Sequence, residues 1–170
     1  MGAVTQTYRA SSNLTVTNLH SIAASPTWVA GWISGIIDNT TTLDLDIAVA
    51  AKFALGNSAT AGEIRMYAIA MLDDSNWPAL LSAGALGTEG TATVTTTTIR
   101  DANMIPLWSA NTRADPGTDD VYSMPLTSLR GAFGGILPPK VVLFCAHSTG
   151  VALASSGSQV TIKGLAESVA

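Results

Sequence analysis

The sequence predicts an all-β chain, a jelly-roll-like β-sandwich of about eight strands with long loops and one short helix. Three observations carry this. Leu43, Leu45, Ile47, Val49, Ala51 and Phe53 alternate with Asp44, Asp46, Ala48, Ala50 and Lys52, the period-two pattern of a half-buried strand. A second proline-free run, Glu63 to Leu72, follows a small-residue loop bounded by Gly56 and Gly62, so residues 42–72 read as a central hairpin. Elsewhere, short β-favourable runs are punctuated by Gly, Pro, Asn and Asp, and helical periodicity is nearly absent.

Taken in order, residues 1–25 read as an extended arm, and residues 26–170 as a single sandwich domain. In the arm, Tyr8, Leu14, Val16, Leu19 and Ile22 are spaced too loosely for a helix. Tyr8 and Leu14 are candidate interface residues, because extended arms reach neighbouring subunits; a frayed terminus is the alternative. In Trp28 to Ile37, Gly31 and Gly35 alternate with β-branched residues, which predicts a strand approached closely by another backbone or a large side chain. Asp73 to Pro78 forms a polar loop carrying Trp77, and Ala79 to Leu86 is either a helical turn or more loop. Thr91 to Ile99 reads as a threonine-rich edge or surface strand. Residues 101–118 read as a long irregular connection around Trp108, and Val121 to Met124 as a strand ending before Pro125. Thr127 to Phe133 is the one short helix, capped by Thr127 or Ser128 and stopped by Gly134-Gly135. Val141 to His147 is the most hydrophobic strand, and Val151 to Leu153 and Gln159 to Ala166 close the fold.

Composition narrows the function classes. Charged residues make up 12% of the 170, about half the roughly 25% of an ordinary soluble domain. So low a charge implies surface hidden against other copies of the chain or against a partner. Eight basic residues are scattered singly and the net charge is −4, which gives no nucleic-acid footprint. The stretch from Ala10 to Ile37 is charge-free but interrupted by Ser, Thr, Asn, Pro and Gly, so no membrane span is expected. No apolar leader core follows Arg9, so no secretory signal is expected either.

Reactive groups are few. The single Cys145 lies in an apolar run and reads as a buried hydrophobe. Asp44 and Asp46 share a strand face and read as solvated rather than as Ca²⁺ ligands, and Asp73-Asp74 and Asp119-Asp120 read as soluble loop turns. His20 and His147 are the only histidines, too few for the metal of a cupin-type enzyme, and His147 is expected to cap its strand. No catalytic, cofactor or metal-binding residues are therefore assigned. Trp77 and Trp108, in polar loops, are candidate contact residues that could stack on a sugar or anchor a protein. Trp28 and Trp32 read as core or sheet-face residues.

Val121 to Leu126, Leu129 to Pro139 and Val142 to Leu153, with the central strand pair and its glycine-bounded loop before Tyr67, resemble a group of small tailed-phage virion proteins. The resemblance covers about residues 25–168 and rests on turns and apolar positions. It implies a jelly-roll protein on the phage particle, assembled in the host cytoplasm. The implied role is a head decoration or cement protein whose partner is the major capsid protein. A tail- or neck-associated module recognising carbohydrate or a host receptor through Trp77, Trp108 and the acidic loops is the second expectation.

Overall fold

The chain is described here by a computed structural model covering residues 4–73, 75–114 and 120–169. Asp74 and Asp119, one from each acidic pair, lie outside the described residues. In chain order the elements are β1 (Val4–Tyr8), β2 (Ser12–Asn13), β3 (Ala30–Ile33), β4 (Ile37–Asp38), β5 (Asp46–Ala54), β6 (Gly62–Ala70), β7 (Leu81–Ala83) and β8 (Gly90–Val94). They continue with α1 (Thr97–Asn103), β9 (Ile105–Thr112), β10 (Val121–Ser128), α2 (Leu129–Ala132), β11 (Lys140–His147) and β12 (Gln159–Val169). None of these helices is long and apolar enough to cross a membrane.

The strands form two packed sheets, so the chain is a β-sandwich. One has five strands in the order β1-β12-β5-β10, with β2 also on β12; the other has seven in the order β7-β8-β3-β11-β6-β9, with β4 also on β11. Among the described residues, twelve strands replace the expected eight or so because short bridging pieces such as β2, β4 and β7 carry too few residues to show a period.

The predicted hairpin is not one. β5 pairs with β12 and β10 in the first sheet, whereas β6 pairs with β11 and β9 in the second. The loop between them is an arch from one sheet to the other, and β9 to β10 and β11 to β12 cross in the same way. Such alternation between sheets is how a jelly-roll-like winding proceeds.

The inter-sheet core is built from the alternation itself. Ile47, Val49, Ala51, Phe53 and Val160 of the first sheet meet Trp32, Ile64, Met66, Val141, Leu143 and Cys145 of the second. β11 is apolar from Val141 to Ala146 because both of its faces are buried. Val141, Leu143 and Cys145 face the sandwich, while Val142, Phe144 and Ala146 belong to a second cluster with Tyr67, Ile69, Leu80 and Met104. Trp28, Trp77 and Ile99 cover that outer cluster. This covering is also why β6 is two-sided in sequence.

Several local expectations change. The threonine-rich strand stops at Val94, and Thr96 caps α1 by accepting from Ile99 N at 3.1 Å. Residues 105–112 are the edge strand β9 rather than irregular chain; Pro106 sits beside a register shift at Met66/Tyr67, where a missing N–H is tolerated. β10 likewise runs past Pro125 through a register shift between Met124 and Thr127. The expected short helix is α2: Ser128 Oγ accepts from Gly131 N at 2.7 Å, and Gly134 and Gly135 end it at φ +74° and +99°.

Residues 4–25 lie along their own chain. β1 pairs with residues 165–169 of β12, Leu19 and Ile22 are buried in the core, and Leu14 N donates to Val160 O at 2.9 Å.

Candidate functional site

The four candidate interface residues are not brought together. Tyr8 is exposed on β1, with Lys163 Nζ 5.1 Å from its ring centroid. Leu14 is half-buried against the inter-sheet core. Trp77 packs over the outer cluster of the second sheet. Trp108 is a β9 residue rather than a loop residue, and it stacks on Phe53 at 5.7 Å between centroids. Three of the four are thus half-buried packing residues, and the two tryptophans pack on separate clusters.

The acidic residues build structure. Asp44 is not solvated: its carboxylate is 4% exposed and accepts from Arg9 Nε. Sequence alternation mislocated it, because β5 begins only at Asp46 and residues 39–45 form a loop. Asp46 Oδ1 accepts from Arg130 N at 2.9 Å at the start of α2. Asp73 Oδ1 accepts from Ser75 N and Asn76 N, an Asx-type loop whose bonds, with that from the Asn76 side chain, hold its carboxyl below the ordinary value. Asp120 receives Arg113 Nε at 2.9 Å and Nη2 at 3.1 Å.

The buried polar groups brace the fold. His147 Nε2 lies 3.1 Å from the Ile22 carbonyl and Nδ1 2.9 Å from Thr149 Oγ1, so this strand-end histidine ties residues 22 and 149 together. Desolvation holds its pKa below the usual value, and the neutral ring with its proton on Nε2 fits the carbonyl partner. Burial pushes the Cys145 thiol far up, leaving it inert. Among the described residues, no group of three or more His, Cys, Asp or Glu is placed to hold a metal ion.

An open hollow of about 440 Å³ lies on β6 and β9 and is lined by Glu63, Arg65, Tyr67, Pro106, Leu107, Trp108 and Ser109. Its charges cancel: Arg65 Nη2 donates to Glu63 Oε2 at 2.7 Å, which lowers the glutamate pKa and raises that of the arginine. The guanidinium lies 3.9 Å over the Trp28 ring. Glu63 and Arg65 thus satisfy each other within the lining.

Three exposed apolar side chains lie at one end of the sandwich, where β5, β11 and the far end of β6 meet. Leu43 is 75% exposed, Leu72 70% and Ile136 78%. Their loops are joined: Asn39 N donates to Pro139 O at 2.8 Å, and Met71 N to Lys140 O at 3.1 Å. Leu43 stands at φ +49°, a left-handed backbone that costs an ordinary residue about 1–2 kcal/mol. Asn39 enforces it, with Oδ1 accepting from Asp44 N at 2.7 Å and Thr42 Oγ1 at 2.9 Å, and Nδ2 donating to Asp44 O at 3.0 Å. An exposed leucine is therefore held out from a braced loop. Periodicity missed this by assigning Leu43 to a buried strand face.

No protein-family model matches this sequence, and no curated protein matches it.

Proposed function

We propose that the chain is a non-enzymatic structural protein of a tailed-phage particle, acting as a head decoration protein on the major capsid shell. The observation that carries this reading is the braced apolar end, in which Leu43, Leu72 and Ile136 project from linked loops. A surface of this kind gains by burial against another protein, at roughly 25 cal/mol per Å² of apolar area removed from water. The low charge content favours the same outcome. The resemblance of about residues 25–168 to small tailed-phage virion proteins is the ground for taking the major capsid protein as that partner. The mechanism is mechanical: a rigid sandwich docks its apolar end on shell subunits and bridges them, and weak contacts repeated over a symmetric surface sum to high avidity.

Quantitative mass spectrometry of purified virions tests this. The expected result is a simple copy ratio to the major capsid protein, and loss of the protein from particles carrying Leu43→Asp with Ile136→Asp. A few copies per particle would move it to the neck or tail, and absence would overturn the virion role.

A further inference from the structure

The strands at the ends of the two sheets are β1 and β10 in one, and β7 and β9 in the other. Three of them are blunted against further pairing. β9 carries Pro106 and β10 carries Pro125, each beside a register shift, and β7 spans only Leu81–Ala83. β1 has none of these devices. Its sequence Val4-Thr5-Gln6-Thr7-Tyr8 lacks proline and charge, and all five residues are exposed.

β1 also overhangs the sandwich. It pairs with residues 165–169 of β12, whereas β5 pairs with β12 only as far as Leu165 opposite Asp46. Residues 4–7 and 166–169 thus form a two-stranded ribbon beyond the sheet, a unit of marginal stability in water. It projects from the end of β5 that follows Leu43 and Asp44.

We propose that the free edge of β1 pairs antiparallel with β1 of a second copy, about a two-fold axis at Gln6, joining two five-stranded sheets into one. The backbone is set for this. Arg9 N donates to Gly164 O at 2.8 Å, so the pair 9/164 is hydrogen-bonded, and by the antiparallel alternation so are 7/166 and 5/168. The N–H and C=O groups of Val4, Gln6 and Tyr8 therefore face the open edge. A two-fold at Gln6 places Gln6 opposite Gln6, Thr5 opposite Thr7 and Val4 opposite Tyr8. Threonine pairs and an aromatic opposite a β-branched residue are favourable cross-strand partners, and no like charges meet. The occupant is a second copy because this five-residue edge is its own complement, as an isologous contact requires. The inference deepens the assembly reading above by naming one contact between copies.

Sedimentation velocity over a concentration series tests it, with three variants. Gln6→Pro removes only an N–H that faces the open edge, so the β1–β12 ladder survives and the dimer dissociation constant rises by about tenfold or more. Gln6→Cys forms an intermolecular disulfide under mild oxidation, and Thr5→Cys, whose opposite residue is Thr7, does so far less. The background is clean because Cys145 is fully buried. A dimer that survives Gln6→Pro and fails to cross-link through Gln6→Cys overturns the edge pairing while leaving assembly intact. A chain that stays monomeric alone, including one that takes up a strand from another protein at this edge, overturns the self-pairing.

Discussion

Asp44 occupies the space that a side chain at position 164 would need: a Cβ on Gly164 would lie 2.1 Å from Asp44 Oδ2. The glycine lets a loop carboxylate reach in beside β12 and accept from Arg9 Nε, so one missing methyl group joins β12, the 39–45 loop and the stretch after β1. Gly164→Ala is expected to destabilise the chain by about 1–3 kcal/mol, the cost of overpacking. Combined with Asp44→Ala, which vacates the space, it should cost clearly less than the sum of the two. A double-mutant cycle by chemical denaturation checks this.

Gly31 and Gly35 separate in the same way. A Cβ at Gly31 would lie 2.1 Å from the Cys145 carbonyl oxygen and 3.0 Å from the Phe144 ring, whereas one at Gly35 would meet nothing within 4 Å. Gly31→Ala should cost at least about 3 kcal/mol, and Gly35→Ala should stay within about 0.5 kcal/mol of wild type. Melting temperatures of the two variants decide it.

The fully buried Trp32 has its indole Nε1 bonded to Glu89 Oε1 at 2.8 Å, and the same carboxylate takes Asn18 N at 2.8 Å and Asn18 Nδ2 at 2.7 Å. Glu89→Ala leaves the indole N–H without that partner, at a cost of about 1–3 kcal/mol. Glu89→Gln keeps an oxygen for it and should cost less. Unfolding monitored by tryptophan fluorescence reports both.

Because burial lowers the His147 pKa below its ordinary 6.5, the unfolded chain takes up the proton first as pH falls. The contribution of His147 to stability is therefore complete above pH 6.5 and declines below it, until the folded imidazole also titrates. The slope is at most about 1.4 kcal/mol per pH unit. His147→Gln should remove this component, seen as a flatter dependence of Tm on pH between about pH 5 and 7.

The apolar patterns were legible and the connections were not. Ile47 to Phe53 alternates because one face of β5 meets the opposite sheet, and β11 reads as one apolar run because both of its faces are covered. The close approach expected around the glycines after Trp28 is real at Gly31. The false hairpin came from reading Gly56 and Gly62 as turn residues. Their need is different: a Cβ on Gly56 would lie 2.4 Å from Ala152 O, and one on Gly62 2.6 Å from Ser148 O. The glycines allow one arch to lie against the next, a requirement set by residues about ninety positions away in the chain. Leu43 was misplaced for a related reason. Its exposure depends on the Asn39 bonds that turn the backbone left-handed, and an alternating pattern carries no trace of them.

The position of β12 between β1 and β5 also fixes an order of events during synthesis. β1 is made well before β12, its partner and the last strand described, so it leaves the ribosome without that strand to pair with. β5 and β6 cannot close on each other as a local hairpin, because each finds its neighbours only after distant parts of the chain have emerged. Folding must therefore wait for long loops to close, the regime of milliseconds to seconds for β-proteins rich in non-local pairings. Throughout that interval the uncharged Val4–Tyr8 edge is open to any extended segment nearby, and crowded nascent copies are the segments closest at hand.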